Sequence, residues 1–451
     1  MIRPAVAAGH PATAEAGAEV LRAGGNAADA AVAASLASCV AETIMTGFLG
    51  GAHAIYYDAA TGAVRNLDCF VSVPSGHGAP MDSLEVPFGE ELVHYAVGAS
   101  SCAVPGLPDG LDALWRAHGS LPWERLVEPA LELAHADVVM PRAHASCLAM
   151  LAPVMTMREG GAMYAPGGAL LGEGDVLRQP GLVRALEVIR DEGARTAYDG
   201  TIARDLLVLI DERDGVITES DLTSYAAVWS EPRECAFDGR RVLTRGGLSG
   251  IVETLLALDP SGGPDGLLAA IERGLVIDGH TTNLTVVDGD GNACVLTSSL
   301  GLGSGDWLPG LDLHLNSMLG ETDLVREPLQ PGARMGSMMA PTLVFDDDGL
   351  ELALGAAGGT RLRTALVGVL AAVLHKGLEP QDAIDRARFH PAGEVVNAEP
   401  GVDEGWLESL EARGRSVRRW ADRHHYFGGV SAVGRSGAGA DPRRSGRVVT
   451  V

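Results

Sequence analysis

Asp278-Gly279-His280-Thr281-Thr282-Asn283-Leu284-Thr285-Val286-Val287-Asp288-Gly289-Asp290-Gly291-Asn292 is the stretch that decides how the rest of the chain is read. Leu284 and Val286 alternate with polar neighbours, and Ala293, Val295 and Thr297 resume the alternation beyond the Asp/Gly/Asn cluster. That pattern predicts two short strands joined by a tight turn. Thr281 then stands at the mouth of the first strand. A threonine pair in that position needs no explanation beyond β-propensity, so its meaning comes from the residues around it.

Working outward, composition sets the bounds. The chain has 451 residues, enough for one large domain or two to three ordinary ones. Hydrophobic residues make up 46% but aromatics only 4%, so the core must be built from Ala, Val and Leu. With 34 Lys and Arg against 59 Asp and Glu, the net charge is −25. Such an acidic surface argues against nucleic acid and against an anionic membrane as partners. No 18-residue apolar run occurs, so no membrane span is expected. The six Cys (39, 69, 102, 147, 235 and 294) are scattered and read as reduced core residues. No His cluster has metal-ligand spacing, and neither cofactor nor metal is expected. Asp346-Asp347-Asp348-Gly349 lacks the full calcium-loop pattern and reads as a solvated hairpin turn.

Along the chain, Pro11 opens a helix that Gly24-Gly25-Asn26 stops, and an Ala-rich helix follows from about Asn26 to Cys39. Ala52–Tyr57 and Ala63–Leu67 read as a hairpin. Leu126, Ala130 and Leu133 have helical spacing. Residues 136–195 read as mostly helical, with a Gly-rich loop over Gly160–Gly174. Thr218 is placed to cap a helix near Glu219. Helices are expected over Gly250–Leu258, near Leu267–Gly274, over Leu362–Leu374 and over Ala383–Arg388. Pro341–Phe345 and Leu350–Leu354 read as a hairpin, and Gly355–Arg361 as a Gly-rich turn. His424-His425-Tyr426-Phe427 reads as a loop packed on the core, with a place at the mouth of the substrate pocket as the alternative.

The run Thr281–Asp288, followed by Gly291-Asn292-Ala293 and Gly303-Ser304-Gly305, resembles the start of the small subunit in the γ-glutamyltransferase family of N-terminal nucleophile hydrolases. Gly9 to Ala34, with Gly24-Gly25-Asn26-Ala27-Ala28-Asp29-Ala30-Ala31-Val32, resembles the opening of that family's large subunit. Val104-Pro105-Gly106, Gly110, Gly119, Pro129-Ala130, Asp199-Gly200, Ile217-Thr218, Asp221-Leu222, Tyr225 and Ala440-Asp441-Pro442-Arg443 continue the likeness to about residue 446. The resemblance implies an α+β fold, the four-layer αββα sandwich, and self-cleavage between His280 and Thr281. The large subunit would be residues 1–280 and the small subunit 281–451, intertwined in one domain. One departure stands out. Only about thirty residues separate Gly246-Gly247-Leu248-Ser249-Gly250 from Thr281, where the family has a long helical stretch. The missing helices should leave one side of the active-site region shorter or more open. Many exported members carry an apolar leader, and none opens this sequence, so the expectation is a cytoplasmic protein.

The chemistry accounts for the residue type. A threonine hydroxyl is a weak nucleophile until a base takes its proton. An N-terminal threonine carries that base itself, an α-amine with a pKa of ~8. By the same resemblance, Gly358-Gly359 would hold the developing oxyanion, and Ser299, eighteen residues after Thr281, would place a hydroxyl beside the nucleophile. The substrate-reading positions depart from the family. Its carboxylate-gripping Arg aligns with Phe70, which removes the anion clamp. Its hydroxyl pair aligns with Ser337-Met338, so one hydroxyl remains. An Asn just after Ser299 is Gly301. The acid that meets the substrate amine aligns with Glu321, near Asn316, with Asp323 as the other candidate.

The pattern implies acyl chemistry on a small-molecule substrate other than ordinary γ-glutamyl amides. One actinobacterial branch of the family, acting in pathways to 4-alkyl-L-proline units and associated with cleavage of a carbon–carbon bond beside a carbonyl, fits that description. Three rivals remain at the level of sequence. One is a true γ-glutamyl hydrolase or transpeptidase with a relocated carboxylate grip. Another is a catalytically silent homologue that binds a ligand or partner. The third is a chain that is processed without turnover, so that the mature heterodimer is a scaffold.

Overall fold

The structure is a computed structural model that describes residues 2–88, 91–273, 281–321, 324–325, 328–359 and 361–451. The stretch quoted first forms a hairpin, as its alternation predicts: strands Thr282–Val287 and Ala293–Ser299 pair antiparallel. Asp288 fixes the turn. Its Oδ1 accepts from the Asp290 and Asn292 amides at 3.0 and 2.9 Å, and its Oδ2 accepts from the Ala27 amide at 2.8 Å. The turn is thereby tied to the first residue of a helix that begins some 260 positions earlier in the chain.

This hairpin is the middle of a seven-stranded sheet. Its strand order is Arg447–Thr450, Ala5–Ala8, Thr282–Val287, Ala293–Ser299, Gly51–Asp58, Ala63–Cys69 and Val228–Ser230. A six-stranded sheet lies against it, in the order Gly437–Ala440, Gly429–Gly434, Gly349–Ala357, Thr342–Asp346, Arg240–Thr244 and Arg233–Phe237. Period-two alternation gives each sheet two apolar faces. Ala5, Ala7, Ile55 and Val295 meet Leu243, Leu343, Ala353 and Val433 between the sheets. Val6, Ala8, Leu284, Val286 and Leu296 face outward against the helices Pro11–Arg22 and Ala27–Ala41, on which Trp123–Ala136 packs in turn. On the far side Val242, Val344, Leu352 and Leu354 pack under Ile251–Ala257 and Arg361–Leu374. The result is a four-layer αββα sandwich.

The helices follow their local chemistry. Asn26 and Asp29 form a capping box at the start of Ala27–Ala41, and every residue of that helix is buried. Its alanines let neighbouring helices approach closely, which suits a core short of aromatics. Thr218 and Asp221 form a second capping box at Glu219–Ser224. All six cysteines are buried and free. Among the described residues no helix is long and apolar enough to cross a membrane.

Some boundaries differ from the sequence reading. The first residues of the expected loop Gly160–Gly174 form a short helix, Gly160–Tyr164, which buries Met163 and Tyr164. The helix expected over Ala383–Arg388 is Pro380–Asp385, started by Pro380, while the Arg388 amide donates to Glu399 Oε2 at 2.9 Å and leaves the helical path. The helix near Leu267 begins at Gly263 and runs to Glu272, with Pro264 in its first turn, and Gly274 lies outside the described residues. Strand Gly349–Ala357 takes up the first three residues of the expected glycine turn. A hairpin, Asp82–Phe88 with Glu91–Val97, was not anticipated.

Candidate active site

Two strand ends meet at Thr281. The residue stands immediately before Thr282–Val287, near the middle of the first sheet, and is 6% exposed. Register explains the spacing to Ser299. Thr282 pairs with Ser298, so Ser299 lies across from Thr281 on the neighbouring strand. The Ser299 hydroxyl accepts from the Gly301 amide at 3.0 Å.

From the second sheet, strand Gly349–Ala357 ends beside the same point. Gly358 follows with φ of 127° and donates its N–H to Thr281 Oγ1 at 2.7 Å. Gly359, at φ 60°, leads toward the helix Arg361–Leu374. The sheets come unusually close here. A Cβ on Gly355 would lie 2.1 Å from the Asn283 amide, so the absence of that side chain lets the two strand ends approach.

Phe70, Ser299, Glu321, Ser337, Met338 and Gly359 line one pocket with Thr281. The remaining wall is Met318, Leu324, Met339 and Leu362. Among the described residues the pocket encloses about 20 Å³, roughly one ordered water, and its methionine walls are adaptable. Phe70 follows strand Ala63–Cys69 and is 2% exposed. Its ring stacks on His53 with centroids 5.4 Å apart. Glu321 is buried, and a Cβ on Gly301, at φ 70°, would lie 2.4 Å from Glu321 Oε1. The glycine thus yields the space that the glutamate carboxylate takes. Asn316 belongs to the framework: its amide bonds the main chain at Leu49, Ala103 and Met318. His280 and Asp323 lie outside the described residues. His425-Tyr426-Phe427 is a buried short helix away from the pocket wall.

The sequence profile of the family described as gamma-glutamyltranspeptidase matches residues 13–260 and 270–451. The chain belongs to the gamma-glutamyltranspeptidase family. The break in the match, 261–269, falls in the shortened stretch before Thr281. A glutathione hydrolase proenzyme from Bacillus subtilis is 24% identical over 91% of this chain and 84% of its own length. An acylase proenzyme, ACY 1, from a Pseudomonas species is 26% identical over 96% of this chain and 89% of its own. The crystal structure of a cephalosporin acylase from Bacillus halodurans superposes with a TM-score of 0.83 at 24% identity, covering 99% of this chain and 96% of that one. The fold is that of the N-terminal nucleophile hydrolases, and the gamma-glutamyltranspeptidase family is a family of enzymes.

Two features of this family member escaped the sequence reading. The first is Glu42, whose buried carboxylate accepts from the Thr282 hydroxyl at 2.5 Å and the Thr13 hydroxyl at 2.7 Å. Burial pushes its pKa up, while the two hydroxyls and the Arg444 guanidinium oppose that rise. Arg444 itself lies behind Gly358, where an added Cβ would come within 3.3 Å of Arg444 Nη2. A signal existed: Glu42 is the one formally charged residue between Asp29 and Asp58. The second is a cluster behind Phe70. Asp68 lies 3.6 Å from Arg334, 4.0 Å from Arg245 and 3.6 Å from His53. Arg245 also donates to the Ser337 carbonyl at 2.9 Å. These groups come from separate segments, and nothing in their local spacing marks them as neighbours.

Proposed function

We propose that this protein is a self-processing N-terminal threonine hydrolase that carries its substrate's acyl group as an ester on Thr281. The observation that carries the reading is the 2.7 Å hydrogen bond from the Gly358 amide to Thr281 Oγ1 inside a pocket. In the first stage Thr281 Oγ attacks the His280 carbonyl, the peptide C–N bond breaks, and an ester forms. Water hydrolyses that ester and leaves a carboxylate on His280 and a free amine on Thr281. The two products are residues 1–280 and 281–451. Each sheet holds strands from both sides of the cut, so the halves stay together as one domain.

In turnover the Thr281 amine takes the hydroxyl proton, and Oγ attacks the substrate carbonyl carbon. The oxyanion forms on the attacked carbon bonded to Oγ, and on this reading the Gly358 and Gly359 amides receive it. The leaving group departs with the proton held by the amine, and water releases the acid. Ser299, across the register, keeps a hydroxyl beside the nucleophile.

The substrate follows from the wall. Among the described residues lining the pocket there is a carboxylate, Glu321, and no cation. Phe70, Met338 and their neighbours favour an acyl group that is apolar there, and Glu321 favours an amine. An ordinary γ-glutamyl group brings a carboxylate that this wall does not hold. A carbon leaving group, released as a carbanion stabilised by an adjacent carbonyl and then protonated, uses the same attack. The finer proposal is therefore carbon–carbon bond hydrolysis of the kind associated with 4-alkyl-L-proline biosynthesis. Intact-mass measurement should give two chains that meet at His280 and Thr281, and an acyl adduct on the second after brief exposure to a substrate. γ-Glutamyl-p-nitroanilide should be a poor substrate. Turnover that survives Thr281→Ala would falsify the covalent mechanism, and efficient γ-glutamyl hydrolysis would overturn the substrate assignment.

A further inference from the structure

A second cavity is larger than the one at Thr281. It lies along the helix Arg361–Leu374, against Gly263–Glu272, Pro380–Asp385 and Glu404–Ala412. Its volume is about 490 Å³, against about 20 Å³ at Thr281, and lies in the range that small-molecule sites occupy. The floor is aliphatic, with Leu267, Gly368, Val369 and Ala372.

Gly368 makes the space. It sits inside a helix of Leu, Val and Ala, where glycine costs about 1 kcal/mol relative to alanine. Sterics do not require it, since an added Cβ would meet only Leu267 Cδ2, at 3.9 Å. Two cations stand at the wall. Lys376, the single lysine of the chain, and Arg386 are both exposed, and neither makes an ion pair among the described residues. Three of the carboxylates nearby are engaged elsewhere. Asp403 caps its own helix by accepting from the Trp406 amide at 2.7 Å, Asp265 pairs with Arg413 at 2.9 Å, and Asp385 lies 3.8 Å from Arg423. On a protein of net charge −25, an apolar hollow with two free cations at its edge is a local exception.

We propose that this cavity is a second ligand site for a small anionic amphiphile. Its apolar body lies over Gly368, Val369 and Ala372, and its acidic head between Lys376 and Arg386. The site shares a helix with the catalytic pocket, because Leu362, one residue after the start of that helix, lines the pocket at Thr281. A bound ligand therefore touches the element that follows the Gly358-Gly359 turn.

The test is a fluorescence titration of the purified protein with 8-anilinonaphthalene-1-sulfonate, followed by displacement with decanoate. Both should saturate at one site per chain. Gly368→Leu, which fills the floor, and the pair Lys376→Glu with Arg386→Glu should each weaken decanoate at least tenfold, with melting temperatures near that of the parent. Three results overturn the proposal: no saturable binding, affinities unchanged in both variants, or a dimer in light scattering that Gly368→Leu converts to monomer. The last would assign the hollow to a second copy of the chain.

Discussion

Replacing Gly358 by alanine places a methyl group where the backbone leaves no room for it. The new Cβ would lie 2.7 Å from the Gly428 Cα, and the residue sits at φ of 127°, which side chains with a Cβ rarely adopt. Holding alanine in such a conformation costs roughly 1–3 kcal/mol. Relief requires the peptide to rotate or shift away from Gly428, and either motion carries the Gly358 N–H off Thr281 Oγ1, now 2.7 Å away. Loss of one oxyanion donor removes roughly 3–4 kcal/mol of transition-state stabilisation, or about a hundred- to a thousandfold in kcat. The assay is single-turnover acylation of Thr281 followed by intact mass, together with the fraction of chain cut before Thr281. A chain that stays whole registers the same loss at the first attack. Gly377→Ala is the control: it too has positive φ, at 66°, yet nothing lies within 4 Å of the added Cβ. It should lose stability and keep its rate. If Gly358→Ala acylates within threefold of the parent, or if Gly377→Ala loses as much, the oxyanion assignment is wrong.

Four further outcomes follow from the same geometry. Phe70→Arg places a cation where the resemblance to the family expects one, and on the proposed reading should raise γ-glutamyl-p-nitroanilide hydrolysis at least tenfold through a charge-assisted contact. It should also lower the melting temperature, since Arg245 and Arg334 already flank the site; no gain in a folded variant argues that the carboxylate grip lies elsewhere. Gly301→Asn introduces the residue that the resemblance expects there, but its Cβ meets Glu321 Oε1 at 2.4 Å, so kcat/KM on the natural substrate should fall at least tenfold, and full activity would detach Glu321 from substrate binding. His10, whose pKa burial lowers from 6.5 to about 4, stays neutral in the folded protein while the unfolded chain takes up its proton below pH 6.5. Stability is therefore lost as pH falls from 6.5 toward 4, by roughly 3 kcal/mol in full. His10→Asn, which keeps an acceptor for the Ala12 amide, should flatten that part of the urea-unfolding profile; an unchanged slope refutes it. Glu399→Gln removes the charge facing Arg443 across 2.5 Å, with both side chains fully buried, and should cost about 3–5 kcal/mol in chemical denaturation.

The sequence carried the hairpin after Thr281 because every signal there agrees: alternation, turn residues and the Asp288 cap act within a dozen positions. It carried the first two helices for the same reason, since Pro11, Asn26 and Asp29 act on their own neighbours. It carried the pocket less evenly. Thr281 and Ser299 are linked by strand register, which spacing encodes, and Gly358-Gly359 stands out as a pair. Met318, Leu324, Met339 and Leu362 come from separate segments, and each reads locally as core. The same limit hid Glu42, which reaches Thr282 across 240 positions. The end of the helix at Asp385 was misplaced because Arg388 is drawn away by Glu399 and Asp441, which no local rule registers.

The site stands at a seam, and the seam accounts for what the two halves contribute. Thr281 lies at the open end of the first sheet and Gly358 at the closing end of the second, so neither sheet alone holds both the proposed nucleophile and the proposed donor. Their alignment depends on the packing between sheets, above all where Gly355 lets Asn283 through. A cut before Thr281 frees an amine at this seam without loosening it, because Thr282 is tied to Glu42 and the following strand is paired on both sides. On the proposed mechanism Thr281 therefore gains its base while its hydroxyl oxygen keeps its place. A side chain added at Gly355 should on this account slow acylation as much as a change at Gly358, although it touches neither reacting atom. Acylation rates for Gly355→Ala close to the parent would show that the seam is not what aligns the site.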